Sequence, residues 1–201
     1  HEAPQTRFGE TVLPFSDPHG LALAFVESSA GLAITPWASS NVPAEHQVRG
    51  MHSVRLWERK LANTAVLLTR VMGFTKAGEE DGWHRYGVDG GGPGRWIDLK
   101  DHPTAPQGEW GVGGVHHVAF RAPDVAAVAA MEAALAPAEP TALHDRTYFT
   151  SLYVREPGGS LLEYATDGPG FAVDEAPEHL GETLFVPVDD PHRAADLQAM
   201  L

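Results

Sequence analysis

Two stretches of the chain alternate polar and apolar side chains in nearly the same order: Gly50-Met51-His52-Ser53-Val54-Arg55-Leu56 and, 64 residues further on, Gly114-Val115-His116-His117-Val118-Ala119-Phe120. A period of two predicts strands with opposed faces. Behind each strand the apolar spacing becomes that of a helix, over about 58–72 and 123–135. In the second, Pro123 suits a first turn and Asp124 a helix N-terminus, where its charge meets the positive end of the helix dipole.

Downstream of each helix comes a glycine-rich turn and an apolar strand. These are Gly91-Gly92-Pro93-Gly94-Arg95-Trp96-Ile97-Asp98 and Glu156-Pro157-Gly158-Gly159-Ser160-Leu161-Leu162-Glu163, and Asp17-Pro18-His19-Gly20-Leu21-Ala22-Leu23-Ala24 is a third copy. The economical reading of this self-similarity is an α+β fold of repeated βαβββ modules, with sheets curving around a pocket. The expected layout is the back half of a module over 1–35, a linker over 36–49, complete modules over 50–112 and 113–170, and an extension over 171–201 that ends in a short amphipathic helix. A tail unit present three times against a head unit present twice, with His rather than Met in first place, leads us to expect an N-terminally incomplete chain.

Composition narrows the class. Lys and Arg number 14 against 27 Asp and Glu, a formal charge of −13. A nucleic-acid partner is therefore not expected, because such binders cluster basic residues over phosphates. No polybasic stretch suits an anionic membrane, and no apolar run approaches the ~20 residues that span one. Zero cysteines exclude disulfides, thiolate nucleophiles and cysteine-based zinc sites, and suit the cytoplasmic location we expect.

Candidate chemistry follows from the strands. If 114–120 is a strand, His116 and His117 point to opposite faces. Val118 and Phe120 then share the side of His116 and pack beneath the helix, whereas small Ala119 leaves room beside His117, the better candidate to face a cavity. Glu163 lies among apolar neighbours, where a carboxylate is costly to bury without a cation or donors. Imidazole plus carboxylate is the donor set of non-haem Fe(II) sites and also serves Mn and Zn. The Gly90-Gly91-Gly92-Pro93-Gly94 run lacks the ending of a phosphate loop and reads as a hairpin turn.

At these residues the chain resembles the vicinal oxygen chelate superfamily of glyoxalases and extradiol dioxygenases, and within it the ring-cleaving dioxygenases that act on hydroquinones. The Val-His-His-Val-Ala-Phe segment at 115–120 and the Glu-Pro-Gly-Gly turn at 156–159 with Glu163 carry the resemblance, together with Thr6-Arg7-Phe8-Gly9-Glu10 and Asp167-Gly168-Pro169-Gly170-Phe171. It implies one Fe(II), or Mn(II), held by two His and one Glu, and assigns His117 and Glu163 to two of those places. The third, a His on the first strand of the first module, has no counterpart. Tyr153 and Arg146 match pocket residues that contact the substrate oxygen, and His116 matches a residue beside the metal. The implied partners are a small aromatic diol and O2, in a homo-oligomer. The alternatives are a glyoxalase-like metal-dependent isomerase or lyase, which wants a further carboxylate ligand, and a metal-free sequestering protein, which has no use for His117 and Glu163 together. Within the repeat, His52 matches His116, Ser53 matches His117, and Ala24 and Asp98 match Glu163. The first module's copy of the site thus reads as vestigial, with Asp98 a solvated edge carboxylate.

Overall fold

A computed structural model describes residues 2–28, 34–106, 108–109, 111–186 and 191–199. It divides into one unit of His1–Val118 with Arg155–Leu161 and another of Ala119–Val154 with Leu162–Leu201.

The first unit opens with an antiparallel sheet of β1 (Gln5–Arg7), β2 (Glu10–Ser16) and β3 (Ala22–Val26). The β2–β3 turn is closed by Asp17, whose Oδ1 accepts the N–H groups of His19 and Leu21, each at 2.8 Å. A βαβββ module follows: β4 (Ser53–Glu58), α1 (Leu61–Arg70), β5 (Thr75–Glu80), β6 (Trp83–Gly87) and β7 (Trp96–Asp101). Its strands lie in the order β4-β7-β6-β5, with β4 parallel to β7 and the other pairs antiparallel. The glycine run is the β6–β7 hairpin turn, as expected. Gly91 has φ +80° and a Cβ there would strike the Trp96 ring, so the turn requires glycine on both counts.

The first helix is shorter than its apolar spacing suggested. Glu58 is the last residue of β4, in register with Asp101 of β7, and the helix starts only at Leu61, whose N–H is capped by Asp101 Oδ1 at 2.7 Å. Helix α1 packs on β7, and Leu67, Leu68, Ile97 and Leu99 are buried in this core.

The second unit repeats the plan with β8 (Val118–Ala122), α2 (Val125–Leu135), β9 (His144–Asp145), β10 (Phe149–Arg155) and β11 (Leu161–Pro169), ordered β8-β11-β10-β9. Asp124 is the α2 N-cap, its Oδ1 accepting the Ala127 N–H at 2.8 Å, as the charge at that position predicted. Burial alternates along β8 so that Val118, Phe120 and Ala122 turn inward. Leu152 and Leu162 of the sheet and Val128 and Leu135 of α2 are buried in this module's core. The chain continues through short 3-10 turns to α3 (Ala194–Gln198); the last two residues of the expected terminal helix lie outside the described residues. No helix among the described residues is long and apolar enough to cross a membrane.

Candidate functional site

Alternation along β10 and β11 sorts the second module's residues into two sets. Leu152, Val154 and Leu162 enter the core. Ser151, Tyr153 and Glu163 face the other way. Glu163 is only 5% exposed, and the Tyr153 hydroxyl hydrogen-bonds to its carboxylate. Burial raises the pKa of the Tyr153 phenol first, and the bond to Glu163 raises it further, because ionising the phenol would place two negative charges together. Ser151 and the Arg146 guanidinium pull the other way without overcoming this. The guanidinium carbon of Arg146 stands 5.9 Å from the Tyr153 ring centre. Three residues singled out from sequence, Arg146, Tyr153 and Glu163, are thus brought together on one face of one sheet.

That face holds two groups that sequence reasoning missed. His144 is in register with Ser151 across β9 and β10, and its ring centre lies 6.3 Å from that of Tyr153. Ser151 was accessible to reasoning, since it precedes Tyr153 by two on a strand. His144 carried no signal, because a strand of two residues has no periodicity.

The placement of the paired histidines corrects the sequence reading. Residues 115–117 precede the strand, which begins at Val118, so the alternation that would separate the two rings does not apply. Instead His116 Nδ1 and His117 Nδ1 lie 2.8 Å apart, with the rings edge to face at 5.1 Å. His116 and His117 belong to the first unit; Arg146, Tyr153 and Glu163 belong to the second. Among the described residues no three His, Asp or Glu side chains converge as a metal-binding group.

In the first module, Asp98 occupies the third position of β7 as Glu163 does of β11. It is not a solvated edge carboxylate. It is 1% exposed, and Arg85, directly opposite on β6, grips both its oxygens, Nε at 2.8 Å and Nη2 at 3.1 Å. Sequence reasoning placed Asp98 at an edge because strand order is not written in the sequence; β7 is in fact the second strand of four, flanked by β4 and β6.

No family profile matches the sequence. The chain is 40% identical over 198 residues to a Bacillus subtilis protein named as the ring-cleaving dioxygenase MhqO, an alignment covering 97% of this chain and 62% of that protein. It is 32% identical over 186 residues, 90% of this chain and 58% of the relative, to a chlorohydroquinone/hydroquinone 1,2-dioxygenase of Sphingobium indicum. A crystal structure described as a dioxygenase from Bacillus subtilis superposes with a TM-score of 0.88 at 39% identity, over 99% of this chain and 64% of that one. A glyoxylase/bleomycin resistance protein/dioxygenase domain from Frankia shares the fold, with a TM-score of 0.52 at 19% identity over 68% of this chain and all of that domain. The chain is thus similar over nearly its whole length to proteins named as ring-cleaving dioxygenases and has the glyoxalase/dioxygenase fold. It spans about three fifths of the length of the curated relatives it matches.

Within this protein the two βαβββ modules treat their matched carboxylates differently. Asp98 is bound by a cation of the chain's own, and Glu163 by a phenol that carries no charge while protonated.

Proposed function

We propose that this chain carries the metal-bearing module of an Fe(II)-dependent ring-cleaving dioxygenase that opens hydroquinone- or catechol-type aromatics with O2. The observation that supports this reading best is the Tyr153–Glu163 hydrogen bond under the Arg146 guanidinium, found in a chain similar over nearly its whole length to proteins named as ring-cleaving dioxygenases.

The donor set suits such an ion in kind. Glu163 is a buried carboxylate, and His117 directs Nδ1 to His116, which makes His116 the group that orients the ring. His117 and Glu163 are two of the three protein donors this chemistry uses. A metal held there would supply Lewis-acid and one-electron chemistry to the diol and O2.

The remaining work falls to the chain's own side chains. Arg146 offers a permanent positive charge to a deprotonated ring oxygen. Tyr153, its phenol pKa raised, keeps its proton at neutral pH and so can give a hydrogen bond or a proton to an oxygen of the opening ring. Glu163 accepts the Tyr153 hydroxyl, so that single O–H must turn from Glu163 to the ring oxygen before it can donate there.

The test is anaerobic purification with metal analysis, then O2 uptake with a panel of hydroquinones and catechols, followed by mass spectrometry of the products. Ring-opened products carrying two added oxygen atoms support the proposal. Isomerised or rearranged products without O2 consumption indicate the glyoxalase-like reading, and tight binding of the aromatic without turnover or metal indicates sequestration.

A further inference from the structure

The matched positions of the two modules differ in one respect that bears on metal specificity. Asp98 faces an arginine across its antiparallel ladder, whereas Glu163 faces a tyrosine. Arg85 grips both oxygens of Asp98 and also donates through Nη1 to Glu10 Oε2 at 3.0 Å, and the other oxygen of Glu10 lies 2.8 Å from His52 Nε2. Two carboxylates, groups of the kind that hold a divalent cation, thereby grip a cation that the chain itself provides, and an imidazole bonds to the second of them. The Arg85 guanidinium carbon is 4.0 Å from the Phe8 ring centre and 5.4 Å from that of Trp96. Arg55 Nε stands 3.8 Å from Asp98 on its other side.

We propose that Arg85 stands in for a metal ion at the first module's copy of the metal position, and that its charge denies that position a metal. The reason is electrostatic. A guanidinium does not give up its proton in proteins, so Arg85 keeps a fixed positive charge between Asp98 and Glu10. An entering divalent ion would have to break charge-assisted hydrogen bonds and sit beside Arg85 and Arg55. Arg85 is accordingly a specificity-determining residue that limits where this chain takes up metal, and the inference does not depend on which reaction the protein performs.

The experiment is Mn(II) binding, read by electron paramagnetic resonance of free ion and by equilibrium dialysis, on the full chain. Arg85→Ser is expected to bind one more Mn(II) per chain than the wild type. Its melting temperature should rise with added Mn(II), and a further Asp98→Asn change should weaken the extra ion by about tenfold or more. A folded Arg85→Ser protein with no additional Mn(II) overturns the proposal. Should Arg85→Ser fail to fold, Arg85→His replaces the cation with a fourth neutral donor, and the same extra equivalent is expected or the proposal falls. A third measurement needs neither variant: Asp98→Asn alone should leave the wild-type Mn(II) stoichiometry unchanged, and loss of a bound ion would overturn the assignment of Arg85.

Discussion

Thr64, on α1, donates its hydroxyl to Glu156, 92 residues further along the chain, at 2.6 Å, and both side chains are buried. The same carboxylate accepts the N–H groups of Gly158 and Ser160, each at 2.6 Å. Glu58, at the end of β4 and 1% exposed, lies against Gly158 with neither carboxyl oxygen hydrogen-bonded among the described residues. Burial, reinforced by the charge of Glu156, pushes the pKa of Glu58 up to about 7. Donors thus surround one carboxyl group of the pair, while burial raises the proton affinity of its neighbour.

Thr64→Val keeps the shape of the side chain and removes the donor. Because the bond is to a charged, buried acceptor, stability is expected to fall by about 1.5–3 kcal/mol, read as a lower denaturant midpoint at unchanged m-value.

Gly158→Ala should be destabilising for a steric reason, since its Cβ would fall on Glu58 Oε2. In a Glu58→Ala background much of that loss should vanish. A double-mutant cycle by chemical denaturation is expected to show a coupling of about 0.5–3 kcal/mol, and additive losses would contradict the packing described.

Glu58 also predicts a pH dependence. The unfolded chain releases this proton near the ordinary value of 4.5, and the folded chain near 7. Between those values the native state binds more protons, so the contribution of Glu58 is fully present below 4.5 and is lost as pH rises through 7. Glu58→Gln should flatten the stability–pH curve across this window; a wild-type curve that rises there and is unchanged in the variant would refute the assignment.

Tyr153→Phe removes the proton and keeps the ring beneath Arg146. If the proposed reaction is correct, metal uptake and melting temperature should change little while turnover falls by about 10²–10⁴-fold, the usual weight of a positioned acid. Equal losses in metal binding and rate would place Tyr153 in the structure of the site instead.

His117→Ala and Glu163→Gln should each sharply weaken Fe(II) retention measured by anaerobic dialysis, whereas His116→Gln, which touches only the orienting bond, should cost about 10–100-fold in affinity. Tight stoichiometric iron that survives His117→Ala would mean that other donors hold the metal.

Much of this protein is determined by its sequence alone. The repeated polar–apolar alternation and the recurrent glycine turns specify the βαβββ plan, because periodicity and left-handed backbone positions are local properties that no distant contact has to supply. Asp124 as a helix cap and the clustered glycines as a hairpin turn belong to the same class. Tertiary structure alone decided which carboxylate is paired with what. Asp98 and Glu163 hold matching positions in their modules, yet their fates depend on the residue opposite, Arg85 or Tyr153, and strand register is set by contacts far apart in sequence. The same holds for Glu58, whose pKa is raised by burial and by the nearby Glu156, because both causes are properties of three-dimensional packing.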